Sequence, residues 1–261
     1  MNRVAIVTGA ARGIGAATVD ALVNEGYHVL AVDRCRDIPE VPYAMATPAD
    51  LESVVARHGD SVLALVGDVR SATDMQLAVE TATRHFGRLD AVIASAGVVA
   101  AGAPLWEISE AAWDAVMSVN VLGTRRLIEA AAPTLIANGR EAHSRIVAVA
   151  SAAGSTGLYH LAAYSAAKHA VVGLIRGVAM DLAEHGVTAN AVSPGSTRTA
   201  ILKASAAVYG LSSEEEFAKS QPIGRLIEPS EVAASIVWLC SPAASAITGA
   251  DIAVDGGMTV S

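Results

Sequence analysis

Of the five tyrosines in this chain, Tyr164 alone is followed four residues later by a lysine, Lys168. In a helix, positions i and i+4 share a face, so phenol and ammonium meet at one place. A free phenol has a pKa of about 10, and a cation beside it favours phenolate and brings that value toward neutral pH. Such a phenol is an acid when a ketone is reduced and a base when an alcohol is oxidised. The same spacing also occurs as an ordinary helix-surface pair, so the neighbours decide. Ser151 directly follows an apolar, strand-like run, at the edge where ligands of parallel sheets bind. Its hydroxyl can hydrogen-bond a substrate oxygen and stabilise charge there. Asn120 stands in a long helical stretch, where an amide is a mediocre helix former. It reads either as a helix-surface or kink residue, or as a water-holding link that carries protons away from Lys168.

A second group of residues suits phosphate and ribose. The first apolar run enters TGAARGIG, Thr8 to Gly15, and then a helical pattern. Glycines 9, 13 and 15 allow a tight turn, approach of backbone to a pyrophosphate, and close packing of helix on strand. The helix N-terminus adds free amides and a positive dipole end, with Arg12 and Ile14 in the same turn. The spacing is GxxxGxG rather than GxGxxG, and such turns also serve chain reversal alone. Asp33, at the end of the second strand, can bind both ribose hydroxyls and repel a 2′-phosphate, which selects NAD over NADP. Arg12 and Arg34 act in the opposite direction. Asp68 and Val69 end the third strand on the side where an adenine would lie.

These groups need elements to hold them. Candidate strands are Val4–Val7, His28–Val32, Val62–Val66, Leu89–Ala94, Arg145–Ala150, Thr188–Val192 and Asp251–Val254. All are rich in Val, Ile and Ala on both sides of the pleat, as in a parallel sheet covered by helices. Helical patterns run from Gly15 to Glu25 with Gly26 as stop, and to Gly87 after a Thr73/Gln76 capping box. Others run from the Ser109 cap to about Ala137, from Tyr164 to His185 before Gly186, and from Pro229 to Leu239. Strand alternating with helix predicts right-handed βαβ units in an α/β, doubly wound parallel sheet of about seven strands, with helices on both faces. Residues 1–261 read as a single NAD-binding and catalytic domain. Two long connections interrupt the rhythm: 36–49 beside the adenosine site, and 196–221, a substrate-lid region with a short helix signalled by Ser212 and Glu215. Loops of that length usually carry function or are disordered.

Composition narrows the classes. The chain has 261 residues, 52% hydrophobic and 17% charged, with a formal charge of −8 and no cluster of Lys and Arg. This argues against a nucleic-acid partner or an anionic membrane surface. No apolar run reaches the roughly 18 residues of a membrane span, and no cleavable signal is visible, so a soluble, cytoplasmic protein is expected. The two cysteines, Cys35 and Cys240, and seven scattered histidines show no disulfide framework and no metal-ligand spacing.

Taken in order, TGAARGIG, the SAG at 95–97, Asn120, Ser151, YSAAK at 164–168, PGSTRT at 194–199 and AVDGG at 253–257 resemble the short-chain dehydrogenase/reductase family over nearly the whole chain. The resemblance implies a Rossmann-like seven-stranded fold and a catalytic set of Asn120, Ser151, Tyr164 and Lys168. It implies that Tyr164 and Lys168 also touch NAD, with Lys168 on the nicotinamide ribose. Ala96, Gly97, Pro194, Gly195 and Thr197 would line the nicotinamide end, with Thr199 near the carboxamide. Family members are commonly homotetramers that pair through the two long helices and the last strand; a dimer is the other assembly expected. ASAG at 94–97 departs from the family's NNAG, which puts sheet-stabilising contacts at Ser95 in doubt. YAMATPADL at 43–51 and PGSTRTAILKASAAVYGL at 194–211 are further similar to dehydrogenases associated with the redox cofactor mycofactocin. That likeness implies bound NAD reoxidised by an external redox acceptor, with the 36–49 connection folded over the adenosine.

Pocket candidates are Val98–Ala103, including Val99, then Ala152–Leu158, including Ala153, with His160, Ser196 and Ile201–Leu202. They are small or apolar with no Arg or Lys cluster, which suits a neutral, fairly hydrophobic small molecule. The expected substrate is a secondary alcohol or ketone, alicyclic among the options. Two rival readings are an epimerase or dehydratase of the same fold and a non-catalytic NAD-sensing protein.

Overall fold

The computed structural model describes residues 2–100 and 102–260. Seven parallel strands form one sheet: β1 (Val4–Thr8), β2 (His28–Asp33), β3 (Val62–Val66), β4 (Ala91–Ala94), β5 (Arg145–Val149), β6 (Thr188–Pro194) and β7 (Asp251–Val254). Their order is β3-β2-β1-β4-β5-β6-β7. The Rossmann-like, doubly wound architecture follows from that order and from helices on both faces.

Successive residues of each strand feed opposite cores, because side chains alternate across a pleated sheet. Val4, Ile6, Leu30, Val32, Ile146 and Ala148 pack into one core, with α3 (Ala72–Phe86), α5 (Gly123–Ala137) and α6 (Ala162–Leu182) above it. Ala5, Val7, Val29, Ala31, Val147 and Val149 face the other, covered by α1 (Gly13–Asn24), α2 (Pro48–Ala56) and α8 (Pro229–Cys240). The remaining helices are α4 (Glu110–Met117) and α7 (Ala200–Val208).

The connections reverse direction between β1 and β4, so the carboxyl ends of β1, β2 and β4 open on one crevice, where ligands of such sheets bind. Register brings the ends level: Thr8 pairs with Val32 on one side and Ala94 on the other. The Thr8 hydroxyl accepts from Ser95 N at 3.2 Å, so a backbone bond ties down the loop that carries serine in the family's asparagine position.

Several local expectations are corrected. Helix α3 is capped by Ser71, which accepts from Asp74 N, two residues before the Thr73 box. The tail of the 36–49 connection already belongs to α2, opened by Thr47 and Asp50 with Pro48 at its first position. Region 196–221 holds α7, capped by Thr199, as well as the short 3₁₀ turn Glu214–Ser220, which Ser213 caps. The long helix starting at Ser109 is broken by a π turn over Ser118–Leu122.

Candidate functional site

The crevice is a cavity of about 410 Å³ running along the sheet's carboxyl edge. One end receives β1, the turn after it, and α1. Gly9 and Gly13 take φ of +68° and +58°, the left-handed region that suits glycine. A Cβ on Gly15 would fall 2.0 Å from the Gly9 carbonyl oxygen, so helix and turn touch there through backbone alone. No side chain caps α1 and its first turn carries no acidic residue. Its leading amides therefore face the cavity wall formed by Gly13, Ile14 and Gly15, where an anion is best stabilised.

Asp33 ends β2 on the same wall; its carboxylate accepts from Ala11 N and from Cys35 N, each at 3.1 Å. Both nearby arginines are occupied. Arg12 donates to the Ala44 carbonyl at 2.9 Å. Arg34 reaches the carbonyls of Arg36 and Asp37 and lies on Asp68, which Arg70 also grips. Burial pushes the Asp68 carboxyl up, but the hydrogen bonds and charge of Arg70, with Arg34 beside it, hold it below the usual carboxylate range. Burial and the neighbouring Arg70 cation lower Arg34.

A diphosphate-linked dinucleotide fits this end: uncapped amides for its phosphates, a strand-end carboxylate for a ribose diol, and Asp68 and Val69 beside the base position. The strap formed by residues 34–47 closes that side. Ile38, Met45 and Ala46 line the cavity; all three fall in the 36–49 connection expected beside the adenosine, though none was named singly. A Pro-containing stretch without periodicity gives no sign of which side chains it buries.

At the other end, Ser151 follows β5 and accepts from Ala153 N at 3.1 Å. Tyr164, in the first turn of α6, lines the cavity beside Ser151. Burial pushes its phenol up to about 12, the Ser151 side chain acting against it and the Tyr43 phenol acting with it. Part of Tyr164 still faces the cavity, so the shift relaxes wherever water reaches the hydroxyl. Lys168, one turn on and buried, donates from Nζ to the Val149 carbonyl at 2.8 Å, and burial lowers it to about 8. Nζ lies 5.6 Å from the Tyr164 ring centroid. Burial is the largest influence on the Tyr164 phenol, and it acts against a shift toward neutrality.

Of the residues predicted from sequence, Gly9, Arg12, Gly13, Ile14, Gly15, Asp33, Asp68, Val69, Ala96, Gly97, Pro194, Gly195, Thr197 and Thr199 all meet on this one cavity. Ser151, Tyr164, Lys168, Val99, Ser196 and Leu202 join them. Thr199 spends its hydroxyl on capping α7, accepting from Leu202 N, and on the Thr197 carbonyl. Of the pocket stretches, residues 100, 102–103 and 154–157 do not line it, and three singly named candidates also lie elsewhere. Asn120 sits behind the wall, donating from Nδ2 to Val98 O at 2.9 Å and to Val116 O at 2.8 Å. Ala153 is fully buried in the turn beneath Ser151. His160 takes a left-handed φ of +56°, and its ring stacks on the exposed Tyr159 instead of the cavity. Ala101 lies outside the described residues.

Leu161, Ser205, Tyr209, Phe217 and Met258 also line the cavity; Ser205, Tyr209 and Phe217 fall in the expected 196–221 region, while Leu161 and Met258 were not anticipated. Tyr209 donates to the Tyr159 carbonyl at 2.7 Å and meets Phe217 edge-on, which joins the lid to the loop after β5. Among the described residues, the charged groups on the wall are Arg12, Asp33, Arg34 and Asp68 at the far end, and Lys168. No group of three or more potential metal ligands occurs, and no helix is long and apolar enough to cross a membrane, among those residues.

A family model described as enoyl-(acyl carrier protein) reductase matches residues 9–259. The chain is 37% identical over 260 residues to a cis-4-hydroxycyclohexanecarboxylate dehydrogenase of Sinomonas cyclohexanicum, covering 99% of this chain and 97% of that one. Among solved structures, a carveol dehydrogenase from Mycobacterium avium in complex with NAD superposes with a TM-score of 0.94 at 27% identity, covering 99% and 98% of the two chains. A short chain dehydrogenase from Mycobacterium paratuberculosis bound to NAD gives a TM-score of 0.89 at 33% identity, again covering 99% and 98%.

Proposed function

The chain belongs to the short-chain dehydrogenase/reductase family, and from that premise we propose that it is an NAD(H)-dependent oxidoreductase acting on a neutral, fairly apolar secondary alcohol or ketone. The observation that carries this reading is that Ser151, Tyr164 and Lys168 line the apolar end of one cavity, with Lys168 the one charged group there among the described residues. Alicyclic substrates suit it best, since a ring fills a pocket walled by Leu158, Leu161, Leu202, Tyr209 and Phe217.

NAD, when bound, supplies the hydride acceptor or donor. The α1 amides and Gly13 would hold its phosphates, Asp33 the adenosine ribose, and Lys168 the other ribose. Ser151 positions the substrate oxygen and Tyr164 moves the proton at that oxygen, as acid toward the ketone or base toward the alcohol. Lys168 and Asn120 pass the proton onward. An assembly of identical subunits belongs to the same reading, supported by Met180 on α6 and Trp238 on α8, which are 78% and 43% exposed. A cytoplasmic setting goes with it.

The experiment is an alicyclic alcohol panel with NAD and with NADP, on the wild type and Tyr164→Phe. Wild-type turnover with NAD and a loss of about 10²- to 10⁴-fold in Tyr164→Phe are expected. Equal rates in the two proteins would sink the assignment.

A second reading concerns cofactor exchange: NAD stays bound through turnover and an external acceptor of the mycofactocin type reoxidises it. The strap supports it, because Ile38 and Val41 are buried in the core and Arg12 fastens Ala44 across the cleft. Stoichiometric NAD(H) released on denaturing the dialysed protein would favour this reading; an empty protein would exclude it.

A further inference from the structure

The strap also reaches the catalytic machinery. Tyr43, mostly buried against the core beneath β1 and β2, accepts a hydrogen bond on its hydroxyl from Val99 N at 3.2 Å. Asn120 donates from Nδ2 to Val98 O at 2.9 Å. That carbonyl and that N–H are the two poles of one peptide unit, which is planar and rigid. A single plane is therefore gripped at one end by the strap and at the other by Asn120.

The far side of the carboxamide is the informative one. Two carbonyl acceptors, Val98 O and Val116 O, fix which end of the group is nitrogen. Asn120 Oδ1 is buried and has no partner within the protein. It points toward the lysine: a Cβ built on Gly97 would lie 2.9 Å from Asn120 Oδ1 and 3.5 Å from Lys168 Nζ. Asn120 sits on the π turn, a break in the regular helix of a kind frequent at functional sites.

We propose that Tyr43 is a positioning residue for Asn120: by fixing the Val98–Val99 peptide it keeps Oδ1 turned toward Lys168, so that a closed strap and an open proton exit are the same state. The proposal rests on the reading above, in which Lys168 and Asn120 carry the proton away from Tyr164.

Tyr43→Phe keeps the ring packing and deletes only the acceptor. For alcohol oxidation, kcat should fall about 5- to 10-fold, the worth of one neutral hydrogen bond. KM should stay within about twofold, and the solvent deuterium isotope effect on kcat should rise as proton exit slows. In Tyr43→Phe/Asn120→Ala the loss should equal that of Asn120→Ala alone, since coupled residues do not add. An unchanged kcat in Tyr43→Phe, or losses that multiply in full, would overturn the coupling. A readout independent of turnover separates this from failure of the oxidoreductase reading. In the crystal structure of Tyr43→Phe the Asn120 carboxamide should be rotated, and Val99 N–H should exchange with solvent faster. If wild type proved inactive, an unmoved Asn120 would still refute the proposal.

Discussion

Arg34 and Asp68 face each other across the mouth of the adenosine end, with Nε 2.9 Å from the carboxylate; they pair by charge, without an aligned Nε–H bond. With Arg12 on Ala44 as well, both arginines are engaged within the protein, and the proposed reading makes Asp33, on the same wall, the charge that selects NAD. Asp33→Ser should lower kcat/KM for NAD by about 10- to 100-fold, the range for a hydrogen bond to a charged group. The NADP-to-NAD preference should rise by a similar factor. Steady-state kinetics with both cofactors measure it, and an unchanged preference would locate the selectivity elsewhere.

Lys168, lowered by burial to about 8, and Tyr164, raised by burial to about 12, set the direction of the pH dependence. Below about pH 8 both hold protons, which serves ketone reduction. Alcohol oxidation needs an acceptor, so its rate should climb on the alkaline side while reduction falls. The stability argument has a definite sign. A lysine depressed in the fold binds fewer protons than in the unfolded chain between about 8 and 10.5, so stability rises with pH across that window. Lys168→Met removes the buried charge and should raise the melting temperature at pH 7 while abolishing turnover. A lower melting temperature would contradict the burial argument.

Tyr209→Phe removes the hydroxyl that ties the lid to the Tyr159 carbonyl. A looser lid should raise KM for bulky alcohols about 3- to 10-fold, from the loss of one hydrogen bond. The pH profile of kcat should not move, because the reacting groups are untouched. A change in the profile without a change in KM would argue against a lid role.

Gly15→Ala places a methyl group where the Gly9 carbonyl already sits. Backbone cannot yield there cheaply, so a loss of roughly 2–4 kcal/mol is expected, as for overpacked or strained sites. Urea denaturation gives the number. A loss under about 0.5 kcal/mol would mean that helix α1 can slide off the turn.

The strands were legible because Val, Ile and Ala on both faces of the pleat leave few alternatives to a covered parallel sheet. Their ends moved by a residue or two: β4 starts at Ala91, since Asp90 is buried and spends Oδ2 on Val4 N. Two helices escaped notice. The Thr47–Asp50 box opens only nine residues inside a proline-containing stretch, and Thr199 caps α7 from within a segment already read as cofactor-binding. Glycine turns and the Tyr164–Lys168 spacing are local signals, so they survive in one dimension. The Arg34–Asp68 pair spans two strands, and Tyr43 meets Val99 across 56 positions, so no spacing rule reveals either. His160 looked like a pocket residue by position alone; a positive φ at one residue redirected its ring.

The burial of Ile38 and Val41 gives the strap a rate as well as a shape. Lifting both side chains into water costs about 3–6 kcal/mol, so an opened strap would be populated in roughly one molecule per 150 to one per 25,000. On the reading in which NAD stays bound through turnover, its release would be a partial-unfolding event with the steep temperature dependence of one. Mild urea would hasten that release at concentrations that leave the sheet intact, while the apolar end of the cavity, reached past Tyr209, would go on exchanging its smaller guest at full speed.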